Sequence, residues 1–173
     1  DPSAGLAAAA AVVTALARRD ADGKGRYVEL SLQEAAIALF GEYFLLAQLE
    51  NPPGPIGNAH ADYAPNGVYR CAGNDNWLAI SVCSRAEWHN LTQLVGEALS
   101  GEAFATFENR QANRDALDRT IEAWTCNQDK LLLMAELQHA GVPAGAVQIP
   151  PEMIADPHNV ARQFYVPLGA DHI

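Results

Sequence analysis

Cationic residues are scarce in this sequence. Its 173 residues hold 11 Lys and Arg against 21 Asp and Glu, a formal charge of −10, and no basic run is interleaved with aromatics. A polyanion would be repelled, which excludes nucleic acid as the expected partner and an anionic membrane surface with it. Small anionic substrates are not excluded, because local donors hold them whatever the net charge. Cysteine is also sparse: Cys71, Cys83 and Cys126 stand far apart, without CxxC or metal-ligand spacing. They are expected to be small buried apolar residues in a reducing compartment. No apolar stretch reaches bilayer-spanning length before Arg, Glu or Gln interrupts it, and no basic n-region leads the chain. Neither a membrane helix nor a signal peptide is expected, and a cytoplasmic location is. HExxH, P-loop, dinucleotide-binding and GxSxG patterns are missing, and the five histidines form no cluster at metal spacing, so no metal is expected.

What the chain does have is apolar content, 49% against 18% charged, which marks a sequence built to pack. Leu6, Ala9, Ala10, Val13 and Leu16 recur at helical spacing, with Arg18 and Arg19 at the end that favours cations. The loop DADGKG follows, ending at Gly25, and Val28, Leu30 and Leu32 then alternate with Tyr27, Glu29 and Ser31 as in a strand covered on one face. From Gln33 to Leu49 the pattern is helical again. Ile37, Phe40, Phe44 and Leu45, joined by Tyr43, Leu46 and Leu49, spread apolar surface around most of that helix, which predicts burial in a larger body or against another subunit.

The segment NPPGPIGNAHADYAPNG, rich in Pro, Gly and Asn, is the sharpest shift in composition and puts a domain boundary near Pro55. Beyond it, GVYRC and WLAISVC read as strands of a hairpin joined by AGNDN. Ser84 and Glu87 form a capping box for a helix whose apolar face is Trp88, Leu91, Leu94 and Val95. Leu117, Ile121 and Trp124 mark another helix with Asn113 as its cap. Asn127 precedes the helix DKLLLMAELQHA, which Gly141 stops in a left-handed conformation. VPAGAVQI predicts a last strand, and PPEMIADPH a turn. Helices, a hairpin and a returning strand make a compact α+β unit.

Asp1, Pro2 and the helix behind them place a carboxylate at a helix mouth. Pro2 lacks the N–H that is unneeded at the first helical position, and the carboxylate could accept the free N–H groups of the first turn. That would keep Asp1 ionised and fixed, as a nucleophile or base requires, although an ordinary helix cap has the same pattern. His60 and Asp62 in the linker could border a ligand, with Gly57 admitting close backbone approach and Asn58 offering an amide; solvated loop residues and a turn explain them equally. Trp77, Trp88 and Trp124 are expected to pack in the core. Arg70 could meet a phosphate but more ordinarily faces the acidic surface.

Asp1-Pro-Ser-Ala-Gly5, the alanine-rich helix through Arg19 and Gly23-Lys-Gly-Arg-Tyr-Val-Glu-Leu-Ser-Leu32 resemble the middle of a class III coenzyme A transferase of the CaiB/BaiF family. Gly57-Asn-Ala-His60, Ala64-Pro-Asn-Gly-Val-Tyr-Arg-Cys71, Asn76-Trp-Leu-Ala-Ile-Ser-Val82, Ala140-Gly-Val-Pro-Ala-Gly145 and Asp156-Pro-His158 continue the likeness in the same order. The resemblance covers essentially the whole chain.

It implies an α/β fold, with residues 1–55 belonging to a Rossmann-like large domain, 56–155 forming a small α+β domain and 156–173 a returning linker. It also implies an interlocked homodimer. Asp1 becomes the catalytic carboxylate, moving coenzyme A from an acyl-coenzyme A donor to a carboxylic acid acceptor through anhydride and aspartyl-thioester intermediates. Gly57, Asn58 and His60 would border the acyl site, without the consecutive glycines that close over oxalate in some members. Coenzyme A enters as substrate and no metal is implied. Two alternatives remain: acyl-coenzyme A racemisation or isomerisation with the same aspartate as acid/base, and an inactive assembly or binding domain. Whole members are about twice as long or longer, and Asp1 is not preceded by an initiator Met, so a fragment that does not turn over alone is expected.

Overall fold

The structure, a computed structural model, describes residues 1–49 and 54–166. The chain divides after Ile56 into two compact units. Residues 50–53 of the predicted linker and 167–173 of the predicted returning segment lie outside the described residues.

The described part of the first unit is helical. Helix α1 (Pro2–Asp22) has Pro2 in its first turn and ends on Gly23, whose φ of 71° is a left-handed stop that an L side chain would resist. The stop comes two residues before the end of the predicted loop. The strand predicted over 26–32 does not form, and no strand is present among the described residues 1–49. A strand exists only as half of a pair, and this extended segment has no neighbour to exchange hydrogen bonds with among the described residues. Its last predicted residues instead start α2 (Leu32–Ile37), where the Ser31 hydroxyl accepts from the Glu34 N–H at 3.2 Å. The single helix predicted from Gln33 to Leu49 is broken: α2 stops and α3 (Gly41–Gln48) begins after Phe40, which leaves helical geometry at φ −117°, ψ 32°. Burial, too, departs from expectation. Ala4 is the only buried residue of α1, while Leu6, Val13 and Leu16 on its apolar stripe are exposed, as are Phe40, Tyr43, Phe44, Leu45 and Leu49. These described helices have no sheet of their own to lie on, and the sheet of a Rossmann-like body is not found among the described residues 1–49.

The second unit is the α+β body. Strands β1 (Asn66–Arg70), β2 (Trp77–Ser81) and β3 (Ala144–Ala146) form an antiparallel sheet in the order β1-β2-β3. The hairpin pairs Asn66 with Ser81 and Arg70 with Trp77. Its turn is closed by the Cys71 N–H donating to the Asn76 carbonyl at 2.8 Å and by Gly73 at φ 97°, where a Cβ would sit 2.6 Å from Asn76 Nδ2. Helix α4 (Arg85–Val95) carries the predicted capping box from Ser84 and Glu87. After two 3-10 turns come α5 (Phe107–Ala112), α6 (Arg114–Thr125) and α7 (Lys130–His139), then α8 (Pro150–Ala155) and α9 (Pro157–Ala161). The last two replace the bare turn expected at PPEMIADPH.

Pleating separates the two faces of the sheet. Tyr69, Leu78 and Ile80 point to one side, where α6 packs on β1 and α7 on β2 and β3. They join Leu91, Leu99, Leu117, Ile121, Leu133, Leu137 and Val142 in one core. Trp88 and Trp124 pack against it as expected. Gly67 shares this face for a steric reason: a Cβ there would lie 2.8 Å from the Tyr69 ring. The Tyr69 hydroxyl donates to Asp118 Oδ1 of α6 at 2.8 Å. Burial raises the pKa of both groups, the phenol and the carboxyl, because each charged form loses water there.

The opposite face carries Val68, Ala79 and the polar residues of both strands, and no helix of this unit covers it among the described residues. Trp77 therefore lies half-buried on the open face with the Arg70 guanidinium 4.8 Å from its ring centroid, not in the core. Arg70 also faces Glu122 at 3.8 Å, an exposed pair of small energetic weight. Of the cysteines, all free, Cys71 is buried as expected, Cys126 is intermediate and Cys83 is exposed.

Candidate functional site

Asp1 occupies the N-cap position of α1, and its main-chain carbonyl accepts the Gly5 N–H at 2.9 Å. The expected side-chain cap is not made: the carboxylate accepts no hydrogen bond from the first turn. Asp1 is exposed, so helix geometry does not immobilise it. The same fact leaves its oxygen lone pairs uncommitted at the positive end of a 21-residue helix.

Gly57, Asn58 and His60 lie in the second unit, on the segment that enters β1. Gly57 has φ 58°, the left-handed region that its missing Cβ allows. The Asn58 carbonyl, not its side-chain amide, makes the local contact, accepting Asn66 Nδ2 at 2.7 Å. Asn66 Oδ1 accepts the Ser81 hydroxyl at 2.7 Å, and Ser81 Oγ lies 3.6 Å from Cys83 Sγ. This polar string borders a shallow depression of about 360 Å³ on the open face of the sheet, lined by Asn58, Asn66, Ala79, Ser81, Pro143 and Gly145. His60 is exposed and stacks on Tyr63, with ring centroids 4.3 Å apart at 21°. Its Nδ1 accepts the Asp62 main-chain N–H at 3.1 Å.

Three side chains from the α5–α6 corner hold this loop by its carbonyls, and sequence reasoning singled out none of them. Gln111 Nε2 donates to the His60 and Ala61 carbonyls at 3.0 and 2.8 Å. Arg114 Nη2 donates to the His60 and Tyr63 carbonyls at 2.8 and 3.1 Å and also contacts Gln111 Oε1. Arg110, only 6% exposed, donates from Nε to the Ala64 carbonyl at 2.7 Å, while its guanidinium lies 4.3 Å from the centroid of the Trp88 ring. Burial lowers the Arg110 pKa, since the cation there has surrendered water. The partners are 46 to 54 residues apart, and no local pattern announces such a contact. The one legible signal is Thr106, whose hydroxyl caps α5 by accepting the Asn109 N–H and so begins the corner.

No group of three or more metal-ligating side chains occurs among the described residues. None of the described helices is long and apolar enough to cross a membrane.

Comparison with known proteins adds to this geometry. A probable CoA-transferase of Mycobacterium tuberculosis is 30% identical over 167 residues, covering 95% of this chain and 21% of that protein. The succinyl-CoA–D-citramalate CoA-transferase of Chloroflexus aurantiacus is 31% identical over 172 residues, covering 96% of this chain and 42% of its own. The crystal structure of a CaiB/BaiF family protein from Brucella suis matches with a TM-score of 0.80 at 29% identity, over 95% of this chain and 44% of that one. The chain thus spans well under half the length of these relatives. With the family model for CoA-transferase family III matching residues 1–172, nearly from end to end, the chain belongs to that family.

Proposed function

We propose that the protein of which this chain is part transfers coenzyme A from an acyl-coenzyme A donor to a carboxylic acid acceptor, with Asp1 as the covalent carrier. The observation that carries the reading is the family match through residue 1, together with a carboxylate at the mouth of α1 that spends no lone pair on capping. Asp1 attacks the thioester carbonyl of the donor, forming a mixed anhydride and expelling the coenzyme A thiolate. The thiolate attacks the Asp1 carbonyl of that anhydride, releasing the donor acid and leaving an aspartyl thioester. The acceptor carboxylate attacks this thioester, expelling the thiolate and forming a second mixed anhydride; the thiolate then attacks the acceptor-derived carbonyl of that anhydride, giving the new acyl-coenzyme A and regenerating the Asp1 carboxylate. Gly57, Asn58 and His60 border the acyl site. No step calls for a metal.

The name of the Chloroflexus relative points to short dicarboxylic acids as the substrate class to try first. A homodimer is part of the proposal: the exposed Phe40, Tyr43, Phe44, Leu45 and Leu49 call for cover from the rest of the protein or from a second subunit. The test is coenzyme A exchange by the protein expressed from its full reading frame, with a panel of acyl donors and carboxylate acceptors. Acceptor-dependent exchange that disappears in Asp1→Ala is the expected result. Exchange surviving in that variant would sink Asp1 as the carrier, and α-proton exchange on an acyl-coenzyme A without acceptor would move the reading to a racemase.

A further inference from the structure

The loop at Gly57–Pro65 is held by donors aimed at its main chain, and the consequence falls on His60. A neutral imidazole has one protonated and one accepting nitrogen. The Asp62 N–H donates to Nδ1, so the proton of the neutral ring resides on Nε2, which has no hydrogen-bond partner among the described residues. The stack on Tyr63 sets the ring plane. Both features depend on the main chain from His60 to Tyr63, and Gln111 and Arg114 determine its course by holding the carbonyls of His60, Ala61 and Tyr63. Two donors on the His60 carbonyl saturate its lone pairs, and the Arg114 contact to Gln111 Oε1 fixes the amide that does half of the work.

We propose that Gln111 and Arg114 are positioning residues that lock His60 as an outward Nε2–H donor, and that this donor binds the carboxylate of the acid substrate. This rests on the reading of the loop as the border of the acyl site. The geometry makes His60 a binding group and not a base: its accepting nitrogen is already occupied by the protein. The charge of Arg114 is spent on the loop carbonyls, so it acts through His60 and does not itself pair with the substrate.

The experiment uses the full-length protein labelled with 15N-histidine, the His60 signals being identified by their loss in His60→Gln. Long-range 15N–1H correlations report which ring nitrogen carries the proton. The expected wild-type result is the Nε2–H tautomer, with its Nε2 signal moved by titration with succinate. In Gln111→Ala and Arg114→Ala both tautomers should appear, with Arg114→Lys intermediate. The KM for the acceptor acid should rise about tenfold, the scale of one hydrogen bond to a charged group, while kcat stays nearly constant. Gln111→Ala guards against a folding artefact, because the residue is only partly buried and its loss leaves the core intact. An Nδ1–H tautomer in the wild type, or a tautomer unchanged in both alanine variants, overturns the positioning role. A His60 signal indifferent to succinate in a protein that transfers coenzyme A to succinate overturns the donor role. If the wild type transfers nothing while the tautomer shifts as expected in the variants, the transferase reading and the substrate role fall together, and the loop clamp stands.

Discussion

The two units spend similar apolar sequence in opposite ways. Residues 57–166 bury Leu78, Leu91, Leu117, Ile121 and Leu137 almost completely, each at 0% exposure, around a sheet supplied by the same unit. Residues 1–49 have comparable apolar periodicity, yet Leu6 is 75% exposed and Leu45 64%. Helix formation needs only local hydrogen bonds, so α1 forms on its own pattern, but burial needs a second surface. An amphipathic pattern is therefore a request for a partner. The second unit answers it internally, whereas the described part of the first does not.

The comparison is broken most severely by emptying the core of the second unit. Leu78→Ala should cost about 3–5 kcal/mol, read from urea unfolding of this polypeptide, because the site is central and closed on every side. Arg110→Ala should follow at roughly 2–4 kcal/mol, since it strands the buried Ala64 carbonyl and removes the stack on Trp88. A loss below about 1 kcal/mol would mean that the loop carbonyl finds another donor.

A graded loss on acidification is expected at the α7–α8 junction. Glu152 accepts from the buried Lys130 at 2.7 Å and from the Ile149 N–H at 2.9 Å. The Lys130 hydrogen bond, followed by that from Ile149, holds its pKa below the ordinary value of 4.5. The folded state thus binds the proton more weakly than the unfolded chain. The contribution is present above pH 4.5 and is lost as pH falls below it through the folded-state value. Glu152→Gln should flatten the stability–pH curve in that acid range, and an unchanged slope would refute the assignment.

Two helix caps sharpen the contrast at smaller scale. Ser84 accepts the Glu87 N–H and the Glu87 carboxylate returns to the Ser84 N–H, so Ser84→Ala should cost about 1 kcal/mol. Asp1→Ala should cost only a few tenths of that cap, because its carboxylate caps nothing, although on the proposed function it should abolish exchange by the full-length protein. The smallest effect belongs to Phe44→Ala, near zero within about 0.5 kcal/mol in the 173-residue polypeptide. The same substitution should weaken self-association of the full-length protein, measured by sedimentation. Stability loss in the polypeptide comparable to Leu78→Ala would mean that the exposed helices have found a covering surface after all.

The hairpin was legible because its two strands and turn are neighbours in sequence, and the Ser84–Glu87 box because its partners are three residues apart. Gly141 was legible as well: a helix end at φ 79° demands a residue without Cβ. The segment at 26–32 misled because alternation records which side of a strand would be buried, not whether a neighbouring strand is present. The cap of α7 is Asp129, the first residue of DKLLLMAELQHA, whose carboxylate accepts from Leu131 and Leu132. At the candidate site, Gly57, Asn58 and His60 stood out as a polar stretch in a linker. The residues that shape that stretch, Arg110, Gln111 and Arg114, did not, because on a helix an arginine that holds a distant loop looks the same as one that faces water.

By itself, the sequence determined what depends on near neighbours: helix α1, the hairpin, the α4 cap, the left-handed stop at Gly141, the apolar faces of α4 and α6, and the family signature running from Asp1 to Asp156-Pro-His158. Tertiary structure alone decided which of those faces are covered, that the Asp1 carboxylate is left uncapped, and that His60 is shaped by side chains 51 and 54 residues away. The division has one physical cause. Backbone hydrogen bonds and caps close over a few residues and are written in local order, whereas burial and long-range donors depend on which surfaces the folded chain brings together.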